Sequence, residues 1–198
     1  MLSYSQHQYQ TAARLRAKNI KEISGAADHP VVELAHILTG IAKKDFSSTS
    51  VDEIPWCASG MNLNILVTNF ERNPKATYLM IKAKGFNVDI IKKVFELTQF
   101  DLKSFESVIT QDTGVKIPAP TWSTAAKSWA TWGSPIQESE LQKGDCIVLV
   151  RKGGNHISLF EARNILTYTL LGYNQSNALQ SSTTYLKQRA YAFRRYLG

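Results

Sequence analysis

The order of patterns along this chain predicts an α+β fold. Apolar residues recur at helical spacing through the first half, short β-rich runs punctuated by Gly and Asn fill the last third, and Pro118-Ala119-Pro120 breaks the chain between them. Residues 8–24 and 30–43 carry the first two helical patterns. Asp28 is the expected cap of the second and Pro30 its first-turn proline, while Val31, Leu34, Ile37, Leu38 and Ile41 form its apolar face. The run DFSSTSVDEIP reads as a loop and ends on Trp56-Cys57, after which ASGMNLNILVTNF reads as a buried helix with Cys57 at its N-terminus. Two further helical patterns, 75–84 and 88–109, lie within a Lys-, Phe-, Ile- and Val-rich stretch, residues 73–116, that has the look of an inserted helical subdomain. Trp122, Trp129 and Trp132 then cluster in TWSTAAKSWATWG, and the β-rich runs GDCIVLVRKGGNHISLFEARN, TYTLLGYNQ and RAYAFRRY follow.

Length and composition point to one globular unit over residues 1–198, since 198 residues that are 43% hydrophobic can bury a single core. The N-terminal stretch MLSYSQHQYQTAARLRAKN has no apolar run to serve as a signal-peptide core. No segment approaches the roughly 20 apolar residues of a membrane span, so the expectation is a monomer made in the cytoplasm, with no signal peptide and no integral membrane segment. Net charge is +7, an attraction to polyanions in general. The basic residues are scattered and the aromatics do not interleave with them, so nucleic acid is not an expected partner. Two cysteines far apart, with no CxxC and no Cys/His cluster, fit neither a disulfide framework nor a zinc site, and no metal or organic cofactor is expected.

A lone thiol at a helix start has one of the two usual means of lowering its pKa, and a neighbouring imidazole would supply the other. His156 opens an apolar strand after a Gly-Gly turn, shares a face with Ser158 and Phe160, and is the credible base; His7, His29 and His36 have no adjacent nucleophile. A hairpin turning about residue 165 would set Asn174 opposite His156, where its side-chain carbonyl could orient the ring, whereas strand alternation places Glu161 on the other face.

In order, PWCASGMN, STAAKSWATWG, GDCIVLVRKGGNHISLF, LLGYNQSNALQ and AYAFRRY resemble the motifs of the NlpC/P60 and CHAP superfamily of papain-like cysteine peptidoglycan hydrolases, phage endolysin-like members above all. They cover about 60 of the 198 residues. The resemblance implies a papain-like fold and cysteine hydrolysis of a stem-peptide or crosslink peptide bond, or of the muramoyl-L-alanine amide. The protein would then be a phage endolysin, a virion-associated lysin or a secreted antibacterial effector, acting on the periplasmic or extracellular wall after release. A catalytically inactive wall- or partner-binding module of the same fold is the alternative. Cys57 falls on the nucleophile, His156 on the general base and Asn174 on the orienting position; Trp56, Trp129, Trp132 and Gln175 fall on substrate-binding positions, and Cys146 on a buried structural one. Three departures stand out: Asn155 and Tyr173 where members tend to have glycine, expected to narrow the cleft, and the long 73–116 stretch.

Overall fold

The computed structural model describes residues 2–20, 29–40, 56–151, 154–176 and 178–198. Helix α1, Tyr4–Arg16, starts earlier than its apolar spacing suggests because Ser3 and Gln6 close a reciprocal capping box, the Ser3 hydroxyl accepting from the Gln6 N–H and the Gln6 amide from the Ser3 N–H. It ends at Arg16; residues 21–28 of the expected 8–24 helix lie outside the described residues. Helix α2, Pro30–Leu38, has the expected first-turn proline, but its cap is His29, whose Nδ1 accepts from the Val31 N–H at 3.2 Å. The expected cap Asp28 and the helix's anticipated last turn, residues 41–43, fall outside the described set.

Helix α3, Cys57–Arg72, is the axis of the molecule, with every residue from Cys57 to Phe70 buried. Asn73 ends α3 and caps α4, Pro74–Ala83, by accepting from the Ala76 N–H at 3.1 Å, so α4 doubles back along α3. The pattern over 88–109 is not one helix. Helix α5, Val88–Phe95, stops where the Thr98 hydroxyl donates to the Phe95 carbonyl at 2.7 Å, and Asp101 starts a new turn by accepting from the Lys103 N–H, leading into the short α6, Phe105–Val108. Side chains that bond their own backbone compete with helix continuation. The apolar face of 73–116 is not separate from the rest: Ile81, Ile91, Val94, Phe95, Phe105 and Val108 join the main core around α3, and Phe95 meets Phe70 edge-on with centroids 5.7 Å apart.

The sheet has six antiparallel strands in the order β1-β6-β2-β3-β4-β5: β1 Ser134–Pro135, β2 Cys146–Arg151, β3 Gly154–Arg163, β4 Thr167–Gln175, β5 Ala178–Leu186 and β6 Ala190–Arg195. The β3–β4 hairpin turns about residue 165 as its sequence predicts, pairing Leu159 with Leu171 and Phe160 with Leu170 before a bulge at Glu161. Strand β5 has no counterpart in the sequence reading, because ALQSSTTYL is too polar to show a buried face; it is an edge strand. One face of the sheet, with Cys146, Val148, Ile157, Leu159, Leu171 and Tyr173, packs on the helices. The other holds a smaller cluster of Ile147, Leu149, Phe160, Tyr168 and Leu170, flanked by Tyr185 and Phe193. Helices on one face of an antiparallel sheet make the chain α+β.

Candidate active site

Cys57 is the first residue of α3 and is fully buried. Trp56 caps the helix without a side-chain hydrogen bond and meets the Tyr173 ring edge-on at 5.4 Å. Tyr173, one of the residues that depart from the family pattern, points to the helices: a Cβ on Gly60 would lie 2.3 Å from its ring, and its hydroxyl donates to Asn64 at 3.1 Å. A glycine on the helix thus makes room for a tyrosine on the strand, and Tyr173 does not narrow a cleft at His156.

The Cys57 sulfur takes the Ile157 backbone N–H of β3. The β3–β4 ladder ends at Leu159 and Leu171, short of this point. Ile157 follows His156 directly in the chain, but alternation along β3 turns the Ile157 side chain to the helices and the His156 ring to the other face, where its partner across the ladder is Leu149. Burial raises the thiol's pKa, while the Ile157 N–H and the Arg151 guanidinium pull the other way without overcoming it. His156 is likewise buried; desolvation, with Arg151 adding to it, pushes its pKa down to about 3. The pair is therefore a neutral thiol and a neutral imidazole at pH 7, not a thiolate–imidazolium pair.

No hydrogen bond joins the two side chains among the described residues. The His156 ring stacks on Tyr185 with centroids 5.6 Å apart, its Nε2 is 2.8 Å from the Ser158 hydroxyl, and its buried Nδ1 has no partner. Ser158 in turn accepts from Gln175 Nε2 at 3.3 Å, and Gln175 also donates to the Leu170 carbonyl at 3.1 Å. This chain needs Gly172, where a Cβ would come within 2.2 Å of the Ser158 oxygen. The ring's partner is thus Ser158 backed by Gln175, and not Asn174. Asn174 is half-buried with φ +59° inside a register shift of β4, so the alternation that would have aimed it at His156 is broken before it arrives. Glu161 lies elsewhere, accepting from the Tyr9 hydroxyl of α1 at 2.5 Å.

Trp129 is fully buried and Trp132 is 7% exposed, with centroids 5.3 Å apart, so both pack the core and line no surface. Trp132 also meets Tyr4, whose hydroxyl donates to Asn69; that residue lies twelve positions down α3 from Cys57, about 18 Å along the axis. Cys146 is buried on the helix face of β2, its thiol pushed up by burial and by neighbouring Asp145. Sequence reasoning missed Arg151, Ser158 as the ring's partner, and Tyr185. Ser158 was legible as sharing His156's face, whereas Tyr185 sits on the strand whose polar sequence hid it. Among the described residues no group of three or more His, Cys, Asp or Glu side chains is placed to hold a metal ion, and no helix is long and apolar enough to cross a membrane. No protein-family model and no curated protein matches the chain.

Proposed function

We propose that the chain is a papain-like cysteine hydrolase of the NlpC/P60 and CHAP kind that cuts an amide or peptide bond of bacterial peptidoglycan, in the manner of a phage endolysin, a virion lysin or a secreted effector. The observation that carries this reading is that a thiol at the start of a buried helix takes the N–H of Ile157, the residue next to His156, whose buried Nδ1 is unclaimed. In the proposed reaction, Nδ1 takes the thiol proton as the sulfur attacks the carbonyl carbon, with the Cys57 backbone N–H facing the developing oxyanion. The imidazolium then protonates the leaving amine, and water, deprotonated by the same ring, releases the acyl group from sulfur. The proposed reaction uses the tautomer in which Nε2–H is donated to Ser158, itself held by Gln175 without added charge, so that the lone pair is on Nδ1. Arg151 stabilises the thiolate as it forms.

Turbidity loss of purified Gram-negative and Gram-positive walls tests the reading, with fragment mass spectrometry naming the bond. Lysis by the wild type that Cys57→Ala and His156→Ala both abolish is the expected result. Wall binding without lysis would instead identify a binding module, a reading favoured by two uncharged side chains that share no hydrogen bond.

A further inference from the structure

Trp122 is the only one of the three clustered tryptophans that reaches the surface, and it does so from a backbone conformation that a bulky residue rarely adopts, φ +56°. The conformation is imposed by buried Asn62 of α3. Its Oδ1 accepts from the Trp122 N–H at 2.8 Å and from the Thr121 hydroxyl at 3.3 Å, and its Nδ2 donates to the Ser123 and Ala58 carbonyls, each at 2.9 Å. Backbone strain held by such a clamp is maintained where the placement of the side chain matters. The half-buried Trp122 ring is stacked on half-buried Phe86 at 6.1 Å and 27°, and the ammonium of exposed Lys84 lies 5.4 Å from its centroid. Because α4 doubles back along α3, this patch lies beside the N-terminal half of the nucleophile's helix. Asn62 is five residues from Cys57, about 7.5 Å along the axis.

We infer that Trp122, Phe86 and Lys84 form a sugar-stacking subsite for the glycan strand of the wall polymer, an inference that rests on the hydrolase reading for its choice of polymer. A pyranose ring offers an apolar C–H face that matches the electron-rich face of an indole, and a lactyl or stem-peptide carboxylate beside it matches Lys84. A nucleic-acid base would also stack, but strand binding uses successive aromatics along a basic groove, and here there is a single pair. The 73–116 stretch would thus supply half of the subsite, and the Trp-rich motif the other half.

The test uses Cys57→Ala protein, which cannot turn over, and co-sedimentation with purified sacculi. Adding Trp122→Ala or Phe86→Ala is expected to weaken binding at least tenfold, and Lys84→Glu several-fold with the loss shrinking as salt rises. Leu79→Ala, an exposed apolar change elsewhere on α4, should leave binding unchanged. Trp122→Gly relieves the backbone strain that Trp122→Ala keeps, so it should melt no lower than Trp122→Ala while binding as weakly, which separates recognition from folding; Trp122→Tyr should restore most of the binding. Full binding by Trp122→Ala, absence of binding by the parent protein, or competition by a single-stranded oligonucleotide but not by N-acetylglucosamine oligomers would overturn the subsite. Failure of the hydrolase reading shows separately: wild type that leaves walls intact while Trp122→Ala still loses binding sinks the hydrolase and keeps the subsite.

Discussion

The proposed reaction starts from a Cys57 thiol that is neutral at rest, and it makes strong claims about single residues. Cys57→Ala should abolish wall lysis with an unchanged melting temperature, whereas Cys146→Ala, buried on the helix face of β2, should keep most activity. Equal loss from both would refute that division. Ser158→Ala removes the partner of Nε2 and should lower kcat by about 10- to 100-fold, on the order of 1.4 to 2.7 kcal/mol, while Asn174→Ala, turned away by its bulge, should cost much less. The two buried histidines also set a pH window. His36 is pushed down to about 4 and His156 to about 3, both by burial, from an ordinary value of 6.5. Below pH 6.5 the unfolded chain takes up protons that the folded chain refuses. Their stabilising contribution is therefore complete above that pH and declines as pH falls toward 4 and 3, by up to about 1.4 kcal/mol per pH unit for each ring. Urea midpoints at pH 7, 6 and 5 should descend in that order; a flat series would show that the rings are not held neutral.

Among the elements, the contact of α3 with β4 depends on a glycine. Gly60→Ala drives a methyl into the Tyr173 ring and should destabilise by about 1–3 kcal/mol, measurable in urea, whereas Gly60→Ala combined with Tyr173→Leu should recover part of the loss. Phe95→Ala should cost about 3–5 kcal/mol, since Phe95 touches Phe70, Phe100 and Phe105. Replacing residues 73–116 with a flexible linker would strip the cover from Phe70, so loss of folding is the expected outcome, not merely altered specificity. These elements differ in how far sequence reveals them. The α3 start, the β4 limits and the hairpin centre were readable because apolar period and turn residues agree there. The split of 88–109 into two helices was not, since Thr98 and Asp101 act through local caps that leave the apolar spacing intact. Asn174 was assigned by alternation, which a left-handed residue interrupts, and no pattern of side chains announces such a residue when it is not glycine. The place of Trp129 and Trp132 in the core, against Trp122 at the surface, was invisible for a related reason: a tryptophan's period fixes its face, not what covers it.

At the scale of the whole molecule, Asp145 ties the layers together. It is fully buried and accepts from Ser5 of α1 at 2.7 Å, from the Gln142 N–H at 2.7 Å and from Arg195 of β6 at 2.6 and 2.9 Å. Arg195→Ala would leave that carboxylate uncompensated and should cost about 3–5 kcal/mol, seen as a drop in urea midpoint together with faster hydrogen exchange along β2 and β6. The strand order gives this tie a further meaning. Strands β2 to β5 pair with their neighbours in sequence and can assemble as a meander from nearby residues, but β6 pairs across a long loop closure with β2 and with β1. Such non-local pairing forms late. Until β6 arrives, β2 presents Ile147, Val148 and Leu149 along an unpaired edge, the kind of edge that recruits strands from other chains. Production at high concentration should therefore favour aggregates whose protected amides include β2 but not β6, and cleavage in the Lys187–Arg189 connection should push the protein toward the same state.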